Sequence, residues 1–249
     1  MPARVEGSDS PFVGRPNRTF LYNYFQFLDQ GWKLSEQYAN YREYGDKGMK
    51  KLAQDRARVT RKLAVAAEKN LILGSRFIGV DPEPATLGGI IEFLTTAYGA
   101  FRTSMSGDKM VEANLYTGIR CIGDRVDMSN IARTFVGRFY QKQRFTSFWE
   151  GRVRTEMGAH TGGLSIDRLM TDFGEFEFVV VYNWPGDMLG LLDFNKIEIG
   201  HWAGLGWSEK QLASSGRWNA YTRSAVISQQ VHNPQVFGLW TNLGFDGVA

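Results

Sequence analysis

The side chains able to do chemistry are few and scattered. Three histidines, His160, His201 and His232, stand apart, with no second ligand-type residue at i+2 to i+4 in a metal-like arrangement. The single cysteine, Cys121, cannot form an intramolecular disulfide and sits in an apolar helical context that suits a small buried hydrophobe. No nucleophile elbow, zinc-protease helix, phosphate loop or dinucleotide fingerprint occurs, and Gly162-Gly163 and Gly204 with Gly206 read as turn glycines. Carboxylate pairs such as Asp124 and Asp127 occur in any chain. This inventory gives no footing for an enzyme and implies no metal or cofactor.

Two constellations are less ordinary. Between residues 46 and 73 there are eight basic side chains against three acidic ones, a local balance of +5. Arg56, Arg58, Arg61 and Lys62 fall together on a segment of helical pattern. Such a face either keeps a helix solvated or neutralises backbone phosphates without reading sequence. The second constellation is aromatic: Thr19 to Leu28 reads TFLYNYFQFL. In an extended strand Phe20, Tyr22 and Tyr24 point one way, while Leu21, Phe25 and Phe27 point the other. A two-sided apolar strand is an aggregation hazard unless another chain covers it.

Composition bounds the elements that position these residues. The 249 residues, 28.2 kDa, are long enough to bury a sizeable core as one large domain or two small ones. Hydrophobic residues make up 43% and charged residues 22%, which argues for a globular chain. The net charge of +3 is too small to imply nucleic-acid binding by itself. One cysteine suits a reducing compartment, and no apolar run approaches the roughly 20 residues a membrane span needs. The first 16 residues hold three prolines and no apolar signal core, so secretion is not expected. The aromatic content of 14% exceeds what a core needs and points to extensive protein contacts.

Along the chain, Met1 to Asn17 is polar and proline-punctuated and reads as an extended arm. The aromatic strand is expected to turn at Asp29-Gln30-Gly31 and return through Trp32-Lys33-Leu34 as a hairpin. Tyr38, Tyr41 and Tyr44 follow at a spacing of three. A helix is predicted from the N-cap Asp46 to the C′ residue Gly74, with Met49, Leu52, Val59, Leu63, Ala67 and Leu71 as its apolar stripe. Beyond a loop at Asp81 to Pro84 come an apolar segment over Ile90 to Tyr98 and predicted helices over Met110 to Ile122 and Ser129 to Tyr140. Strands are predicted over Glu175 to Tyr182, Met188 to Leu192, Lys196 to Trp202 and Thr222 to Val231. Helices first and strands last, without βαβ alternation, make the class α+β.

This order of parts resembles a known family. Val5-Glu6-Gly7-Ser8-Asp9, the aromatic segment and the basic helix resemble the start of the mature region in tailed-bacteriophage major head proteins of the SU10-like group, which carry the HK97 fold. Thr171-Asp172-Phe173-Gly174 and the strand after it, then MLGLLDF over Met188 to Phe194, are similar to that group's TDFG and LDP signature, with Phe194-Asn195 where Asp-Pro is usual. Leu212 to Arg217 and VHNPQVFG over Val231 to Gly238 resemble its later segments. Asp124 to Met128 is more polar than the corresponding apolar strand of the group. The group also carries tens of residues ahead of the arm, so a processing step or a shorter N-terminus is expected here.

The resemblance implies an N-terminal arm over 1–14 and an E-loop hairpin over 15–45 that lies on a neighbouring subunit. It further implies a peripheral domain with a long spine helix over 46–81, a mainly axial domain over 82–169, and closing strands over 170–249 shared by both. The implied function is a major capsid protein that self-assembles as hexamers and pentamers into the icosahedral head enclosing the double-stranded DNA of a tailed phage. Portal, scaffold and decoration proteins are implied as further partners, with assembly in the host cytoplasm. Subunit contacts are then expected at Phe20, Tyr22, Tyr24, Phe25, Phe27, Trp32, Tyr38 and Tyr41. DNA-facing or inter-subunit charge is expected at Arg56, Arg58, Arg61 and Lys62. The alternatives are a basic nucleic-acid-binding or packaging protein and a nanocompartment shell of the same fold.

Overall fold

A computed structural model describes residues 22–39, 51–79, 83–95, 99–126, 130–148, 168–203, 206–212 and 217–244. Its first sheet is built on one long strand near the end of the chain. β1 (Gln26–Ser35) pairs antiparallel with β9 (Trp218–Val231) over ten consecutive positions, from Gln26 opposite Ile227 to Ser35 opposite Trp218. The other edge of β9 is shared by β8 (Ser208–Gln211) and β7 (Ile197–His201), so the sheet has four strands around one fourteen-residue spine. β1 is followed by a single turn of helix, α1 (Glu36–Ala39).

The long helix α2 (Lys51–Leu73) lies across β1 and β9. Its stripe of Val59, Leu63 and Ala67 is buried against Leu28, Ala225 and Ile227. These are alternate positions of their strands, as a sheet with one packed face requires. The narrow apolar stripe read from spacing is thus the packed face, with Leu71 half-buried beside it and Ile72 turned into the second core. Asp46 and Met49 lie outside the described residues. Gly74 follows the helix as expected, but for a different reason from a left-handed cap. Its amide continues the helical ladder to the Asn70 carbonyl at 2.9 Å, and its carbonyl accepts from the Gly89 amide at 2.7 Å. At Gly89 an added Cβ would meet the Ile72 carbonyl at 2.6 Å, so the two backbone segments cross in near contact and only glycine fits.

A second, six-stranded sheet holds the larger core. Its order is β2 (Phe101–Ser104), β10 (Gly238–Thr241), β6 (Leu189–Leu192), β3 (Thr134–Gly137), β5 (Gly174–Val180) and β4 (Arg168–Thr171). β2 runs parallel to β10 and β3 parallel to β5; the other pairs are antiparallel. α3 (Ile90–Thr95) and α4 (Glu112–Gly123) pack near β2 and β10, and α5 (Phe139–Phe148) near β3 and β5. Phe135 sits at the centre, with ring centroids of Phe145, Phe176 and Trp240 within 6.0 Å.

Two local expectations are corrected. The hairpin turning at Asp29 to Gly31 is absent: Gln26–Ser35 is one uninterrupted strand, because β9 offers ten partners in register and the long-range ladder outweighs the local turn signal. The predicted helix over Ser129 to Tyr140 is instead β3 and the beginning of α5. All four residues of β3 are buried, and a strand buried on both faces presents a continuous apolar run that mimics helical spacing.

The Thr171-Asp172-Phe173-Gly174 motif has a physical account. It is the tight turn between β4 and β5. Gly174 stands at φ 113, the Thr171 hydroxyl donates to the Gly174 carbonyl at 3.0 Å and accepts from the Phe173 amide at 3.1 Å, and Arg133 donates to the Phe173 carbonyl at 2.8 Å. Gly174→Ala forces a side chain into that backbone region and into the Arg133 guanidinium. A loss of about 2 to 3 kcal/mol is expected, read as a lower urea midpoint with an unchanged slope.

Candidate subunit interface

The segment entering β1 is fastened by two side chains that sequence reasoning did not single out. Asn23 donates through Nδ2 to the Gly88 carbonyl at 2.9 Å and to the Gln229 carbonyl at 2.8 Å. Its Oδ1 accepts the Gly88 amide at 2.7 Å and its neighbour's, Tyr24, at 2.9 Å. One carboxamide thus ties the entry segment to the crossing beside Gly89 and to β9, 206 residues away. Arg76 is the second fastener. Its Nε pairs with Glu92 Oε1 at 2.9 Å, its backbone amide with Glu92 Oε2 at 2.6 Å, and NH1 donates to the Tyr22 carbonyl at 3.0 Å. The guanidinium also lies against the rings of Tyr22 and Phe93, 5.2 and 5.1 Å from their centroids. The Gly88-Gly89 pair was the one local signal in the sequence, since a doublet before an apolar run marks a close approach.

The aromatic residues expected at the interface fall into three groups. Tyr22, Phe27 and Tyr38 are exposed, Phe27 by 64% of its surface. Tyr22 meets Tyr24 edge-on at 5.9 Å, and Lys51 stands over the Tyr38 ring at 5.8 Å. Tyr24 and Phe25 are half-buried, Phe25 meeting Trp202 edge-on at 5.0 Å. Trp32 stacks on Tyr221 at 5.5 Å and packs beside the α2 core of its own chain. Phe20 and Tyr41 lie outside the described residues. Exposed aromatics that sequence reasoning did not place at an interface, Trp202, Trp207 and Trp218, flank the same sheet.

The basic residues of α2 also divide. Arg56 pairs with Glu209 at 2.6 Å, and the far carboxylate oxygen of Glu209 lies 3.7 Å from Arg223 on β9. Arg56 therefore joins helix to sheet, a partly exposed link of less than about 1 kcal/mol. Arg58, Arg61 and Lys62 are exposed and form no ion pair among the described residues. No cluster of three or more metal-ligating side chains occurs among the described residues, and no helix there is long and apolar enough to cross a membrane.

The two sheets with their packed helices make an HK97-like fold. The sequence profile of the SU10 major capsid protein matches residues 2–244, and the chain belongs to that family. It is a capsid-forming protein. Among solved structures the fold is similar to the capsid of a native GTA particle, at 16% identity and a TM-score of 0.60, covering 97% of this chain and 82% of that one. It is likewise similar to the cyanophage A-1(L) capsid subunit, at 7% identity and a TM-score of 0.59, over 88% and 77% of the two chains. The encapsulin of the holo-SrpI complex from Synechococcus elongatus PCC 7942 matches at 8% identity and a TM-score of 0.59, over 90% and 76%. At such identities the likeness is one of fold. No curated protein matches the sequence.

The Asn23 clamp makes a two-variant test. Asn23→Ala removes four hydrogen bonds and leaves the Gly88 groups unmet, for an expected loss of about 2 to 4 kcal/mol. Asn23→Asp keeps the acceptor for the Gly88 and Tyr24 amides but sets a carboxylate oxygen against the Gly88 and Gln229 carbonyls, so a urea midpoint no higher than that of the Ala variant is expected at neutral pH. Hydrogen exchange of the Gly88 amide should accelerate strongly in both variants.

Proposed function

We propose that the chain builds the icosahedral head of a tailed phage as hexamers and pentamers, and that the exposed aromatics around the first sheet seat against neighbouring subunits. The observation behind this is the exposure of Tyr22, Phe27 and Tyr38 on and beside β1, an edge strand that among the described residues pairs with β9 alone. Large apolar side chains gathered in that way favour coverage by another surface. Gln26–Ser35 is committed to the subunit's own sheet, so in the segment 15–45 the neighbour is met by the outward side chains of β1 and its flanks. On this reading the first sheet with α2 is the peripheral domain of 46–81 joined by closing strands, and the six-stranded sheet is the axial domain of 82–169 with its share of 170–249. Residues 1–14 serve as the arm. Each contact of standard size, roughly 1,600 Å², is individually modest, but a subunit held by several is released only when all break together.

The exposed trio Arg58, Arg61 and Lys62 supports a second role for the same shell, non-specific contact with packaged double-stranded DNA. Portal, scaffold and decoration proteins enter as partners of the assembled head, which locates the protein in the virion and its assembly in the host cytoplasm.

Phe27→Asp with Tyr38→Asp changes only exposed positions, so a subunit with a wild-type melting temperature that forms no shells under negative-stain microscopy is expected. Normal shells from that variant would remove these residues from the interface. For the second role, Arg58, Arg61 and Lys62 changed together to Gln should lower the slope of log affinity against log salt for duplex DNA by about 2 to 3, close to 0.9 per lost contact. An unchanged slope would place those charges away from DNA.

A further inference from the structure

We draw no further inference here: the strongest candidate, the surface patch of exposed Phe139 and Tyr182 where β3 and β5 end and the Val181 amide donates to the Gly137 carbonyl at 3.0 Å, carries nothing because nothing in the structure shows what covers it.

Discussion

The pairing of β1 with β9 is the constraint on which the rest of the subunit depends. Ten consecutive pairs join positions about two hundred residues apart, and closing a chain of that length costs on the order of 5 kcal/mol of loop entropy before any contact is made. Hydrogen bonds alone, each worth about 1 kcal/mol net, would leave little margin. The ladder holds because its alternate positions, Leu28 with Ala225 and Gln26 with Ile227, bring an apolar face under α2, so helix packing and strand pairing stabilise one another. Neither would persist alone: α2 has a narrow stripe, and a strand with one bare face is marginal in water.

Around this seam the polar groups act as positioning devices. Asn23 and Arg76 fix where the chain enters β1, while Arg56, Glu209 and Arg223 link the other side of α2 to β8 and β9. The two devices differ in strength. The Asn23 bonds are partly buried and directed at backbone groups, so each loss strands a partner, while Arg76 is partly buried on the Glu92 carboxylate and reaches the Tyr22 carbonyl through an exposed bond. The Arg56 pair is close to half-exposed and weakens with salt. Entry geometry is therefore held tightly, and the angle between helix and the far end of the sheet more loosely.

Much of this was legible from residue order. The stripe of α2 appeared as Val59, Leu63 and Ala67 at spacings of four, and β5, β6, β7 and β9 showed as apolar runs bounded by turn residues. What failed did so for one reason. β1 and β3 are defined by partners distant in sequence, so a local turn signal at Asp29 to Gly31 and a local helical spacing from Ile131 to Phe139 pointed elsewhere. The interface was half legible: the aromatic cluster announced itself, but its sorting into exposed Phe27 and inward Trp32 is set by register against β9. Asn23 and Arg76 left no signal, because a lone polar residue acquires meaning only from the backbone groups that folding brings to it.

The same register explains why a strand can belong to one subunit and still serve another. Because side chains alternate across a strand, pairing β1 with β9 commits Leu28, Trp32 and Leu34 to the face under α2 and turns Phe27, Asp29 and Lys33 outward. A shift of one residue would exchange the two sets, burying charge and exposing the core. Ten residues therefore encode two surfaces, one that the helix completes and one that the fold leaves open. Phe27 stands opposite the buried Val226, and its same-face neighbours further along the strand, Asp29 and Lys33, are charged, so the exposed apolar patch on that face stays small in a free subunit. Those charges, Asp29 and Lys33, also discourage an indiscriminate strand from pairing with the β1 edge, which leaves shape and aromatic contact to select the proper neighbour.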